Sequence, residues 1–527
     1  MSHTIPRGSR SIWTVLPLAF VLTTAFTLRG QPAVEWQHCL GGTAGEELYD
    51  MQPTSDGGYI AAGHASSNNG DVAGNHGGEG DGWVVKLDAV GVLEWQRCIG
   101  GGGDDAAYSA QEVGDGGYIV VGWTSSIDGD MADNHGGQDA WVMKLDGTGA
   151  PEWHRCLGGS ENEHAWRVLA DADGGYWLAC DAWSDNGDVS FNHGGGDAWV
   201  VKLSATGSIE WQQCLGGSLG DLARSLLLTA DGGAVVAGYS ASDDGNISGN
   251  HGGGDAWVAK LSAYGFVQWQ HCLGGSGLDR AYSVQATADS GFVVAGDTGS
   301  NDGDVSGNHG SSDIWVVKLS GNGDLQWQHC LGGSMVDFFC WSIQNDSDSG
   351  YVTAGFTQSD DGDVSGNHGA GDAWVVKLDA AGELQWQRCL GGNGSESFSS
   401  ACPTTDGGYV LAGGSSSTTG DVSGNHGGYD AWVVKLLGDA EFIAPDGAPG
   451  SLLFTLQQDR TEGTAQVCTQ DPEHDQVTLV DAQGRMLLHM PMTDPCQMLD
   501  LRSLRHGLYL VTLHGENGSS TQKLVVE

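Results

Sequence analysis

The sequence predicts an all-β chain closed into a seven-bladed propeller, and three observations predict it. First, a Trp-centred strand recurs at Trp36, Trp95, Trp153, Trp211, Trp269, Trp327 and Trp386, in steps of 58 or 59 residues. A second tryptophan keeps the same period from Trp83 to Trp432, and so does an Asn-His pair from Asn75-His76 to Asn425-His426. Second, each unit divides into four strand-length pieces rich in β-branched and aromatic residues, with no helical pattern between them, as in propeller blades. Third, the two ends are complementary. The repeat region opens with a lone fourth-type strand, residues 34–40, and stops after a third-type strand, residues 432–436, so pairing them completes a seventh blade and removes the exposed edges.

The elements follow in chain order. Arg7 and Arg10 precede an apolar run from Ile12 to Leu28, with no acidic residue before Glu35. This is the form of a secretory signal peptide over residues 1–30, whose removal leaves no transmembrane helix in the mature protein. The repeats fill residues 31–437. In the fifth unit the four strands are expected around residues 281–285, 291–296, 314–319 and 325–330. The links between first and second strands, such as Thr54-Ser55-Asp56-Gly57-Gly58, resemble the Asp-box turns of sialidase-type propellers. They are one residue shorter between Asp and the aromatic, and read as hairpin turns in which Asp bonds its own backbone. Residues 438–451, with Pro445 and Pro449, form a linker, and residues 452–527 a small β-sandwich.

Composition narrows the function. With 88 Gly, 11 Pro and 17% charged residues, the chain is too apolar for disorder and suits a turn-rich β-protein. The 67 Asp and Glu against 21 Lys and Arg give a formal charge of −46, which repels nucleic acid and anionic lipid and excludes nucleic acid as a partner. The acidity recurs unit by unit.

If the first strand of each unit is innermost, strand alternation places the tight turns on one rim. The long second-to-third loops and the Leu-Gly-Gly links then share the other, acidic rim, the side on which binding is expected. The long loops have metal-like spacing. Counting Asp302 as position 1, Asp304 is position 3, Gly307 position 6 and Asp313 position 12, the rhythm of a twelve-residue calcium loop. Asp361, Asp363 and Asp372 repeat it, as do Asp244 and Asp255, so these eight aspartates are the candidate Ca²⁺ ligands. Against calcium, position 12 is Asp rather than the bidentate Glu, Thr419 stands at position 1 of unit seven, and Phe191 at position 6 of unit three. The same Asp and Asn residues are also suited to capping their own turns.

The recurring histidines (His76 through His426) lack a second ligand at zinc spacing, and read as structural. The recurring lysines (Lys86 through Lys435) are expected to pack their stems and meet a nearby Asp. Seven of the 12 cysteines belong to the repeat and read as small buried hydrophobes. Cys340 and Cys402 fall on inner strands of adjacent units and are one candidate pair, and Cys468 and Cys496 are a disulfide candidate in the last segment of an exported chain.

That last segment carries a family resemblance. The runs Val477-Thr478-Leu479-Val480-Asp481, Gly484-Arg485, Asp500-Leu501, Gly507-Leu508-Tyr509-Leu510-Val511 and Lys523-Leu524-Val525-Val526 resemble the type A sorting domain of the type IX secretion system. The match covers residues 475–527 and lacks the usual Asn-Pro at the start. The repeats likewise resemble those of secreted Bacteroidota proteins. The resemblance implies passage through the periplasm, handling by the type IX machinery, and an extracellular or cell-surface location. No catalytic motif is present. The expected function is a non-enzymatic scaffold binding a glycan, protein or polymer on the acidic loop face. The alternatives are a propeller-based glycan hydrolase or lyase, with residues such as Glu46, Glu47, Asp104, Asp105, Glu161 and Glu163 on offer, and a structural surface-layer role.

Overall fold

The computed structural model describes residues 31–438 and the segments 454–459, 464–469, 474–481, 486–491, 496–502, 504, 507–515 and 518–526. The signal segment 1–30, and all of the linker 438–451 but its first residue, lie outside the described residues. The repeat folds into seven four-stranded antiparallel sheets. Blades 1 to 6 span residues 46–99, 105–157, 163–215, 221–273, 279–331 and 337–390. We letter the strands a to d in chain order. In blade 5 they are Asp279–Ala286, Phe292–Thr298, Asp313–Leu319 and Leu325–Leu331. Each strand a packs beside strand a of the next blade, and the cycle returns from Glu396–Pro403 to Glu46–Pro53, so strand a is innermost and the ring is closed.

The seventh blade is completed as the chain ends require. Val34–Leu40 lies antiparallel to Asp430–Leu436, with Gln37 opposite Val434 and Leu40 opposite Ala431. Trp432 Nε1 donates to Gln37 Oε1 at 2.8 Å, the bond that Trp315 makes to Gln328 inside blade 5. The closing strand therefore makes the Trp–Gln bond of blades 1, 3, 4, 5 and 6, whereas in blade 2, with His154 at this place, the Trp141 indole donates to the Trp123 carbonyl. The core lies between blades. Trp315 and Val317 of blade 5, for example, are buried with Val235 and Ala237 of blade 4.

Carboxylates lock each junction. Asp279 opens strand a of blade 5 and accepts the Gly275 N–H at 2.8 Å, the Ser300 hydroxyl at 2.7 Å and the Thr298 hydroxyl. Asp255, from strand c of blade 4, lies beside it. A Cβ on Gly274 would come within 2.5 Å of the Asp279 carboxylate and 3.0 Å of Asp255, so the Leu-Gly-Gly link must be glycine here. At the tight-turn rim the repeated lysines behave as expected. Lys318 Nζ sits 2.9 Å from Asp289, Lys260 2.9 Å from Asp231 and Lys86 2.9 Å from Asp56.

The described tail segments form two sheets, one of three strands and one of four, around Val467, Val477, Leu479, Leu499, Val511 and Leu513. Phe454–Asp459, Thr464–Thr469 and Cys496–Asp500 are strands that the sequence reading did not place. Cys468 and Cys496 are register partners on adjacent strands, and their side chains lie outside the described residues. Among the described residues no helix is long and apolar enough to cross a membrane.

Two outcomes are expected. Deleting residues 31–40 bares the edge of Asp430–Leu436, so the truncated chain should melt without a sharp transition and self-associate on size-exclusion chromatography. A truncated chain as monomeric and stable as the full one would contradict closure. Bonds from Thr54, Thr229 and Thr287 and from the clamping lysines hold Asp56, Asp231 and Asp289 down at about 2. Their folded values lie below the unfolded value near 3.8, so the stability they add is present above that value and is lost as pH falls toward about 2. Melting temperature should drop across that window, and less steeply in an Asp56→Asn, Asp231→Asn, Asp289→Asn variant.

Candidate functional site at the propeller axis

The first, third, fifth and sixth residues of strand a are buried in blade 5, and the second, fourth and seventh are partly exposed toward the axis. A β-bulge causes this shift of alternation. Ala281 pairs with Gly296 and Ser283 with Ala295, leaving Tyr282 unpaired and turned inward. Strand a of every blade carries such an irregularity at this point. The residues so placed are Tyr49, Tyr108, Trp166, Arg224, Tyr282, Trp341 and Ser399. The blades repeat one another almost everywhere else, and here they differ.

Five of these side chains are aromatic and pack across the axis. Ring centroids of Tyr49 and Tyr108 are 4.8 Å apart, Tyr108 and Trp166 4.2 Å, Tyr49 and Trp341 6.3 Å, and Tyr282 and Trp341 5.6 Å at an interplanar angle of 6°. The Arg224 guanidinium lies 3.8 Å above the Trp166 ring, a cation–π contact. The cavity that these rings border, lined also by Asp50, Arg167 and Gln344, has a volume of about 50 Å³, room for water and little else. Arg167 pairs with Asp50 at 3.0 Å there. The rings thus plug the channel.

Toward the long-loop rim, the second residues of strand a and the ends of strand b surround the axis and make the mouth of the ring. Buried Asp181 accepts the Trp166 indole N–H at 2.6 Å and the Ala223 N–H at 3.0 Å, and pairs with Arg224. Burial raises its pKa and the Arg224 charge opposes the rise. Asp297 pairs with Arg280 at 3.3 Å, and burial pushes it up to about 6. Its Oδ1 is buried without a hydrogen-bond partner. Burial also pushes Glu47 up to about 7, and His164 down to about 4. Blade 6 departs furthest. Its strand a, Asp337–Asn345, is one residue longer than that of blade 5, and its irregularity runs from Phe338 to Ser342. Within it Phe339 is 40% exposed at φ +60°, a left-handed conformation uncommon for an aromatic residue.

The residues singled out by spacing are employed elsewhere. Asp244, Asp302 and Asp361 accept the N–H groups of Ser218, Ser276 and Ser334, each at 2.7 Å, across to the blade link. Asp304 and Asp363 accept Gly274 and Gly332 N–H at 3.4 and 3.3 Å. Asp255, Asp313 and Asp372 turn under their own loops to the backbone and ring Nδ1 of His251, His309 and His368. Among the described residues no group of three or more His, Cys, Asp or Glu is placed to hold a metal ion. Cys340 and Cys402 are buried free thiols, not a pair. Of the carboxylates offered for an enzyme, Glu46 and Glu163 bond the links at Gly42 and Gly159, as Asp105 does at Gly101, and Asp104 accepts the Glu79 N–H, whereas Glu47 lies in the mouth. The sequence reading missed Asp181, Arg224, Arg280, Asp297 and the ring set. The signal for them was departure from the repeat at fixed positions of strands a and b.

A ring of seven four-stranded sheets closed by its own amino-terminal strand defines this protein as a β-propeller. Residues 461–527 match the family model of the secretion system C-terminal sorting domain. The chain is therefore a repeat propeller that ends in a type IX sorting domain, the signal for export to the cell surface or beyond. The match begins at 461, ahead of the 475 read from sequence motifs. No curated protein matches the sequence. Similar solved structures include PorZ, a bacterial surface component of the type-IX secretion system of Porphyromonas gingivalis, at 12% identity, 93% of this chain, 60% of that chain and TM-score 0.42. The Pan2 WD40 domain of Neurospora crassa is similar at 10% identity, 75% and 95% coverage and TM-score 0.41. Puromycin hydrolase is similar at 11% identity, 88% and 58% coverage and TM-score 0.42. The chain thus spans about 60% of the length of PorZ.

The Asp181–Arg224 pair yields a further expectation. Arg224→Ala leaves a buried carboxylate unpaired and should cost about 3–5 kcal/mol in urea unfolding. The double variant Asp181→Asn, Arg224→Met should recover most of that loss. Equal losses in both would mean that the pair is not coupled.

Proposed function

We propose that this exported propeller is a non-enzymatic binding scaffold at the outer cell surface or in the medium, engaging a glycan, protein or polymer on its long-loop face. The observation that carries this reading is where the repeat breaks. A sevenfold framework needs no asymmetry to fold, yet strands a and b concentrate aromatic rings and three Asp–Arg pairs at the axis. Broad rings beside a few oriented polar groups are the usual composition of a ligand site. The sorting domain adds delivery to the outside, where such a ligand would be met. The calcium reading of the long loops enters as a condition of the test, since Asp302, Asp304 and their counterparts face the same rim.

A second reading has its own observation. Glu47 and Asp297, held up at about 7 and about 6, have the pKa range of a general acid and base for glycan cleavage. The deciding measurement is a glycan, protein and polymer array probed with the full chain, with and without chelator, followed by product analysis of every ligand captured. Capture without turnover is expected. Loss on chelation would assign calcium a role, turnover abolished by Glu47→Gln would establish the enzyme, and an empty array would leave a structural surface role.

A further inference from the structure

We infer that the seven His–Asp pairs under the long loops make each blade junction a proton-dependent clasp, tightest in a mildly acidic medium and loosened as the medium turns alkaline.

Three observations lead there. The first is a geometry that repeats in every blade. Each histidine of the series from His76 to His426 brings its ring Nδ1 to 2.5–2.8 Å from the aspartate that opens strand c. The histidine backbone N–H donates to the same carboxylate oxygen. The histidine side chains are 33–44% exposed, within reach of solvent protons, while each aspartate is 0% exposed. One oxygen thus takes two donors, and the other, Oδ1, has no hydrogen-bond partner in any of the seven.

The second is charge. Between blades 4 and 5, a Cβ on Gly274 would lie 3.0 Å from Asp255 Oδ1 and 2.5 Å from Asp279 Oδ2, so two buried acids flank one glycine. Gly216 and Gly332 are flanked in the same way by Asp197 with Asp221 and by Asp313 with Asp337. Among the described residues Asp255 pairs with His251 and with no lysine or arginine. The other groups facing His251 are the acids Asp279, Asp302 and Asp304 of blade 5. The Cys272 thiol of strand d lies near Asp255, and burial and that charge push it up to about 12, so it stays neutral. Two buried carboxylates without a cation are costly, and a proton on His251 supplies the positive charge in place.

The third is the direction of titration. The Asp255 bond holds His251 above its ordinary 6.5 against burial. At His135 burial opposes the proton, and the bond and charge of Asp139 outweigh it. Burial raises Asp255 and Asp139 above 3.8, against their histidine bonds. A folded pKa above the unfolded one adds stability that is full below the unfolded value and is lost as pH rises through the folded value. For the two histidines that loss begins above 6.5, and the two aspartates have the same sign from 3.8 upward. Asp56, Asp231 and Asp289 on the opposite rim lose theirs toward about 2, which leaves a mildly acidic range for the closed ring.

The test compares the full chain with its variant His135→Asn, His251→Asn, in which the Asn amide replaces the Nδ1 donor and takes no proton. Both chains carry Glu47→Gln, because burial brings Glu47 to about 7 and it would titrate in the same range. Melting temperature is measured from pH 5 to pH 9 at fixed salt. The chain with both histidines should melt higher at pH 5, and the gap should shrink as pH rises above 6.5. A lost hydrogen bond alone would displace the variant equally at every pH, and that result, or a gap that widens with pH, would overturn the inference. A second measurement does not depend on the variant folding. In the chain with all its histidines, NMR of the ring 13Cε1 signals should show at least two that titrate above 6.5 in the folded state, and fewer than two would overturn the inference.

Discussion

Everything in this molecule depends on the pairing of residues 34–40 with residues 430–436. A propeller is a cyclic sheet stack, and each blade buries its apolar faces only against two neighbours. One open junction would expose two such faces at once, those of blades 7 and 1. By lending strand d of the last blade from the start of the chain, the fold makes circularity a matter of ordinary sheet hydrogen bonding, with Trp432 and Gln37 repeating the bond that Trp315 and Gln328 make in sequence. The constraint is geometric as well as energetic, because seven wedges close only if all subtend nearly the same angle.

That requirement explains the monotony of the junctions. Asp279 and its counterparts fix the glycine link, the serine after strand b and the start of strand a in one arrangement. Where blades 1, 3 and 7 substitute Glu46, Glu163 and Glu396, the longer side chain still reaches the same N–H group of the link. The long-loop aspartates serve the same end, tying each loop to the neighbouring link. The same aspartates keep the twelve-residue spacing of a calcium loop.

How legible this was in the sequence follows from what was repeated. Blade number, strand order and closure could be read because period and end complementarity are literal spacings along the chain. The axial site could not, since its members share position and not identity: Tyr282, Arg224 and Ser399 have nothing in common until the bulge is known. Simple alternation would also have put the seventh residue of strand a, Gln285 in blade 5, on the buried side with the first and third, whereas the unpaired residue shifts it to the channel. One trace was in view. Two of the Trp-to-Trp steps are 59 residues long, Trp36 to Trp95 and Trp327 to Trp386. The first reflects an extra residue in a loop, where His76 and Asp81 are five apart and not four. The second is the insertion in strand a of blade 6 that carries Phe339. In the tail, Thr464–Thr469 and Cys496–Asp500 went unseen because both are short and mix polar with apolar residues.

A repeat protein faces a conflict between framework and function. Any residue that makes a blade distinctive at a junction threatens the common wedge angle, while seven copies of one residue cannot build an asymmetric site. The axis escapes both limits. Each blade contributes a residue there that stands outside the strand ladder, so single changes combine into one irregular surface without altering the wedge. The bulge is what makes this possible, because an unpaired residue can be tyrosine, tryptophan, arginine or serine with the ladder on either side unchanged. Where blade 6 goes further and adds a residue, the cost is local, a left-handed Phe339 and one lost pair beside Gly355, and the junction carboxylate Asp337 still holds its Gly333 and Ser359 partners. Diversity at the axis and uniformity at the junctions are thus two consequences of the same closed ring.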